Sequence, residues 1–152
     1  MIARRYEELE AWQVADELRR EVLALTQTGP ASTDFKFRDQ IRDAASSAAR
    51  NISEGFGRFR PPDFARFMDF SLSSSMETQD LLAEGIQRKY FTTERTKPAL
   101  QLARRSIQVS RALLRYLKSC RKRKLPQRRS SKPKANKPRT NLERGGTENE
   151  ER

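Results

Sequence analysis

Arg104, Arg111, Arg115, Lys118 and Lys122 follow one another at steps of 7, 4, 3 and 4 residues, the spacing that brings side chains to one face of an α-helix. The chemistry open to such a row is electrostatic. A phosphate backbone gains from it by releasing counterions, with little regard to sequence and a steep dependence on salt. From Lys97 to Leu142 the chain has 16 Lys or Arg and no acidic residue, so nothing along the sequence offsets the row. Arg121-Lys122-Arg123-Lys124, Arg128-Arg129 and Lys132-Pro133-Lys134 carry the charge beyond the helix. That stretch has no aromatic residue, which leaves phosphate contact without base stacking. The competing reading is a solvated helix face followed by a solubilising tail, and the sequence leaves both open.

Groups able to do covalent or metal chemistry are few. The 152 residues include no histidine, which removes Ser/His and Cys/His nucleophiles, the Glu-x-x-His ligands of di-iron bundles and His-containing zinc sites. Glu54, Glu77 and Glu84 have serine neighbours and no histidine, so they make a poor ligand set. Cys120 is the single cysteine; it forbids an intrachain disulfide and reads as a surface thiol, although its basic neighbours would ease deprotonation. Gly55 and Gly57 are too few for a phosphate-cradling loop. The sequence predicts a protein that is not an enzyme and carries no metal or cofactor.

The elements that must position these residues are helical. Leu9, Trp12, Ala15, Leu18, Val22 and Leu25 recur near helical spacing until Gly29-Pro30 stops them, so a first helix is expected from about Tyr6 to Thr26. Ala31-Ser32-Thr33-Asp34 offers N-capping side chains to a second helix with the apolar stripe Phe37, Ile41, Ala44, Ala45, Ala48 and Ile52. It should end near Glu54, with Gly55 taking the left-handed conformation that closes a helix. Arg58-Phe59-Arg60 reads as a linker, and Pro61-Pro62-Asp63 as the first turn of a third helix running to about Lys89. The serines at its centre, Ser71 and Ser73 to Ser75, suit close approach of a facing helix. In the fourth helix Leu100, Ala103, Ile107, Ser110, Leu114 and Leu117 alternate by three and four as a packing seam does. Its start is open: Thr92 or Thr93 can cap it, but Pro98 then falls inside, which makes Thr96 a rival.

Four helices with one apolar side each and short connections predict an all-α, antiparallel up-and-down bundle over residues 1–120. Residues 121–152 hold 12 basic and 4 acidic residues, a net of +8 out of +12 for the chain. With Leu125, Ala135 and Leu142 as the hydrophobic residues from Leu125 onward, this basic tail cannot offset its ordering entropy and is expected to be largely disordered. No apolar run reaches the roughly 18 residues of a membrane span, and Met1 to Tyr6 leads into polar sequence rather than a secretory segment. A cytoplasmic protein with no membrane role is expected. Trp12 and the Phe64, Phe67 and Phe70 set read as core or subunit contacts, and any of them on an outer face would mark an oligomer interface.

Leu9-Glu10-Ala11-Trp12-Gln13, Gln40-Ile41-Arg42-Asp43-Ala44-Ala45, Asn51-Ile52-Ser53-Glu54-Gly55 and Arg66-Phe67-Met68 with Ser74 and Glu77, in this order and spacing, resemble the four helix bundle protein family. That family was first met as proteins encoded by intervening sequences within bacterial large-subunit ribosomal RNA genes. The resemblance covers about residues 6 to 118. It implies a homopentameric ring of four-helix bundles without established enzymatic activity. It also implies kinship with the accessory protein of diversity-generating retroelements, which partners a reverse transcriptase and nucleic acid. Departures are Ser73-Ser74 where Gly-Ser is typical, Asp43 where a basic residue is common, and the added tail. Within the motif, Asn51 and Glu54 are expected to fix the turn into Arg58, or alternatively to contact a neighbouring subunit or ligand.

The expected function is non-enzymatic binding of RNA or DNA with low sequence specificity. Its site is expected at Arg104, Arg111, Arg115, Lys118, Arg121, Lys122, Arg123, Lys124, Arg128 and Arg129, with Trp12, Asn51, Glu54, Gly55 and Glu77 as structural motif. The alternative is a scaffold that docks a protein partner such as a reverse transcriptase, its charge only assisting the encounter.

Overall fold

The computed structural model describes residues 3–58 and 60–122, and of Arg121 and Lys122 the backbone alone. Of the basic tail expected to be largely disordered, 121–152, Arg121 and Lys122 continue the last helix, and the rest lies outside the described residues.

Tyr6–Glu8 forms a single 3-10 turn, after which Leu9 is extended (φ −75°, ψ 123°) and launches α1, Glu10–Thr26. The first helix therefore starts four residues later than its periodicity implies, since Leu9 belongs to the apolar pattern but not to the helix. Gly29, at φ 74°, turns the chain into the short α2, Pro30–Thr33, which sequence periodicity does not reveal in so few residues. Asp34 caps α3, Phe35–Phe56, by accepting a hydrogen bond from the Phe37 N–H at 3.1 Å. α4 spans Pro61–Gln87 with Pro61 at its first position, where a missing N–H costs nothing. α5 spans Thr93–Lys122. Thr92 settles the start of α5: its hydroxyl accepts from the Arg95 N–H at 3.2 Å. Thr96 is instead fully buried and donates back to the Thr92 carbonyl at 2.7 Å. Pro98 is accommodated inside the helix.

Two further helix ends depart from expectation. Gly55 is not the left-handed terminator; α3 continues to Phe56 and Gly57 follows with φ −68°. A Cβ at Gly55 would stand 2.6 Å from Phe64 Cδ2 and 2.7 Å from Phe67 Cβ, so the glycine exists to let α4 lie against α3. The left-handed residue is Lys89 (φ 61°) at the end of α4. There the Tyr90 N–H reaches the Gly85 carbonyl at 2.8 Å and the Lys89 N–H the Ile86 carbonyl at 2.9 Å. This is the Schellman closure, made with lysine in glycine's usual place.

Each long helix packs on two others in the cyclic order α1, α3, α4, α5 and back to α1. Ser71 bonds the Ala48 carbonyl and Ser74 the Ser47 hydroxyl, while Asp69 meets Lys118 and Ser75 meets Ser106, so successive helices run antiparallel. The core has two apolar clusters. One gathers Leu18, Val22, Ile41, Leu82 and Phe91 with their neighbours, the other Ala11, Ala15, Ala48, Ile52, Met68 and Leu114 with theirs. Between them lies a polar layer that is fully buried: Ser71 donates to the Ala48 carbonyl at 2.9 Å, and the Ser75 and Ser106 hydroxyls meet at 2.9 Å. Ser71 and Ser75 thus allow the close approach expected of the α4 serines, their satisfied hydroxyls keeping the cost of burial low, whereas Ser73 is exposed and bonds back to the Asp69 carbonyl.

Candidate nucleic-acid interface

Arg104, Arg111, Arg115 and Lys118 are all exposed. They lie on the side of α5 that faces α4, because the opposite flank of α5 is turned to α1, where Arg105 pairs with Glu10. Arg104 and Arg111 line a shallow groove of about 320 Å³ with Ile107 and Gln108 of α5 and Met76, Gln79 and Asp80 of α4. Farther along, the Lys118 ammonium sits 3.4 Å from the Asp69 carboxylate. The row is therefore continuous, but it is not free of acid in space. Asp69 and Asp80 come from another helix, and the acid-free run in the sequence cannot anticipate them. Among the described residues, Arg104, Arg111 and Arg115 have no carboxylate within salt-bridge distance. Of the remaining members, Arg121 and Lys122 extend the backbone of α5. Arg123, Lys124, Arg128 and Arg129 lie outside the described residues.

The motif residues fall into separate places. The Asn51 amide donates to the Ser47 carbonyl at 2.8 Å and to the Ser47 hydroxyl at 3.0 Å, and Ser47 in turn accepts from Ser74 of α4 at 3.0 Å. Asn51 therefore bonds back within α3 rather than to the turn, and it is Ser47 that meets α4. Glu54 does hold the turn, accepting from Arg58 at 2.6 Å. Glu77 is exposed on the groove between α3 and α4, with Gln40, Ser73 and Glu84. Since Glu54 and Glu77 are exposed and Glu84 is half-buried, the three carboxylates do not converge in the core. Among the described residues no cluster of three or more potential metal ligands occurs. Trp12 is half-buried against the second apolar cluster and meets the Tyr6 ring edge-on at 5.2 Å.

At the other end of the bundle Asp34 gathers several partners. Besides the Phe37 N–H, its carboxylate accepts from the Tyr90 hydroxyl at 2.7 Å and lies 3.4 Å from Arg88. The Tyr90 hydrogen bond, then the Phe37 N–H and the Arg88 charge, hold the Asp34 carboxyl below the usual aspartate range. This cluster has the form of a cap and clasp, joining the start of α3 to the α4–α5 connection, and sequence patterning gives no sign of it because Asp34 lies more than fifty residues from Arg88 and Tyr90.

The family model of the 23S rRNA-intervening sequence protein matches residues 7–120. The chain belongs to this family. The matched span is the bundle itself and stops where α5 nears its end. A crystal structure of a protein of unknown function from the S23 ribosomal protein family of Bacteroides thetaiotaomicron superposes with a TM-score of 0.59 at 20% identity. The match covers 71% of this chain and 98% of that one, and it supports the fold alone. No curated protein matches the sequence. No helix among the described residues is long and apolar enough to cross a membrane.

Proposed function

We propose that this bundle is a non-enzymatic cytoplasmic protein that binds RNA or DNA through phosphate contacts made by Arg104, Arg111, Arg115 and Lys118, with the basic tail adding sequence-independent attraction. The observation that carries the reading is the exposed, continuous α5 row, three of whose four cations have no acidic partner among the described residues. A tail of net +8 raises the local anion concentration around it. In the homopentamer that the family resemblance implies, the row would repeat around the axis, multiplying both the field and the self-repulsion that a bound polyanion relieves.

Asp69 and Asp80 favour a second reading, in which the same mixed-charge surface and the exposed Met76 dock a protein partner and the charge serves to steer it. Replacing Arg104, Arg111 and Arg115 by Gln together in the full chain separates the two. If nucleic acid is the partner, affinity for a labelled duplex falls and the slope of log K against log salt becomes shallower by about 2 to 3. An unchanged slope with lost capture of a host protein supports the scaffold.

A further inference from the structure

The α3–α4 corner holds a second feature that the α5 row does not explain. Four side chains there form a ladder of two rings with a guanidinium at each end. Arg58 lies over the Phe67 ring at 5.1 Å, Phe67 meets Phe70 edge-on at 6.1 Å, and Arg66 lies over Phe70 at 5.7 Å. Phe67 is half-buried, but Phe70 leaves 45% of its surface open to solvent on α4. Glu54 neutralises Arg58, whereas Arg66 has no carboxylate within salt-bridge distance among the described residues. Arg66 and Phe70 are one helical turn apart, so an exposed ring and an uncompensated cation stand side by side. The same end of the bundle receives the last turns of α5, since Lys118 pairs with Asp69, one residue before Phe70.

We propose that Arg66 and Phe70 form a stacking subsite for an unpaired base of single-stranded RNA or DNA, with Arg66 holding the adjoining phosphate. This rests on the nucleic-acid reading above and extends it from duplex-tolerant phosphate contact to a preference for single strands. A base has a π-face that an exposed ring can cover whatever its identity, and an arginine beside the ring supplies both charge and a planar surface. In a duplex the bases are already stacked and Phe70 has nothing to take. Self-association is the weaker use of the patch. One partly open phenylalanine framed by arginines is far short of the apolar core of a stable interface, from which charged residues are depleted. Two copies meeting through it face to face would also bring like charges together.

The test uses the full chain and three variants, Phe70→Ala, Phe70→Trp and Arg66→Gln, each checked for an unchanged helical spectrum and unfolding midpoint. Binding is measured to a 20-nucleotide oligo(U) carrying a fluorescent base analogue and to a duplex of equal length. Phe70→Ala is expected to weaken single-strand binding by about 5- to 100-fold and to abolish quenching of the analogue, with duplex affinity unchanged. Phe70→Trp should restore both, and Arg66→Gln should weaken single-strand binding with a reduced salt slope. Equal single-strand affinity for the parent and Phe70→Ala, while the parent still binds duplex through α5, overturns the stacking subsite alone. No binding of either probe by the parent overturns both this inference and the nucleic-acid reading. A fall in molar mass by light scattering on Phe70→Ala, without loss of quenching, assigns the patch to self-association instead.

Discussion

The half of the bundle around Phe37 and Phe91 buries both of those rings, whereas the core around Ala15 and Ala48 is built of aliphatic residues and Met68 and leaves Trp12, Phe64 and Leu72 half-buried at its margin. The first half is also tied by long-range polar contacts. Tyr90 and Arg88 reach Asp34, and Arg42 donates to the Thr26 hydroxyl and carbonyl at 2.7 and 3.0 Å, closing the end of α1. The second half has ties of its own, Ser74 to Ser47, Arg105 to Glu10 and Lys118 to Asp69, and it carries the exposed Arg58, Arg66, Arg111 and Arg115. The difference separates tasks along one bundle. One end carries the Asp34 clasp, and the other the later part of the α5 row with the open ring of Phe70, although Phe35 under Arg38 is an exposed ring at the first end as well. Substitutions should accordingly cost stability at the first end and binding at the second.

The largest expected effect tests the packed end. Leu82 is fully buried in its cluster, and Leu82→Ala should lower stability by about 2–5 kcal/mol in urea unfolding; a change under 1 kcal/mol would show that this core repacks freely. A smaller effect sharpens the contrast at the α3–α4 corner. Gly55→Ala gains up to about 1 kcal/mol of helix propensity but forces a methyl against Phe64 and Phe67, so a net loss of about 1–2 kcal/mol is expected, as overpacking typically costs about 1–3 kcal/mol. Stabilisation by this substitution would mean that the two helices are free to separate.

The last effect is a pH dependence. The Asp34 carboxyl is held below its ordinary value, chiefly by the Tyr90 hydroxyl. The stability it contributes is therefore present above the usual aspartate value of about 3.9 and is lost as pH falls through the lower folded value. Tyr90→Phe should lower the urea midpoint near neutral pH, and the gap to the parent should narrow as acid protonates Asp34. A gap that stays constant from neutral pH into the acid range would separate the clasp from Asp34 ionisation.

The long helices are legible in the sequence because their apolar positions repeat over about four turns or more, and their boundaries are less so because single residues decide them. Gly55 looks like a helix terminator by its place near the end, yet what it answers to is the ring of Phe64 on the next helix. Lys89 takes the left-handed position that composition would assign to glycine. The cationic row on α5 is visible as periodicity, but its surroundings are not: Asp69 and Asp80 reach it only through the packing of α4 on α5. Phe70 is likewise hidden in the sequence, since steps of three turn each successive ring of Phe64, Phe67 and Phe70 about 60° farther around the helix, and packing decides which of them meets α3.

The most direct measurement compares the full chain with a truncation ending at Ser119, which retains the residues of both apolar clusters, in binding labelled single-stranded and duplex RNA across a salt titration. The account predicts that the truncated bundle still binds, more weakly, with a salt slope of its own that Arg104, Arg111 and Arg115 supply. Complete loss of binding with the tail would contradict it and leave the bundle as a scaffold for a protein partner.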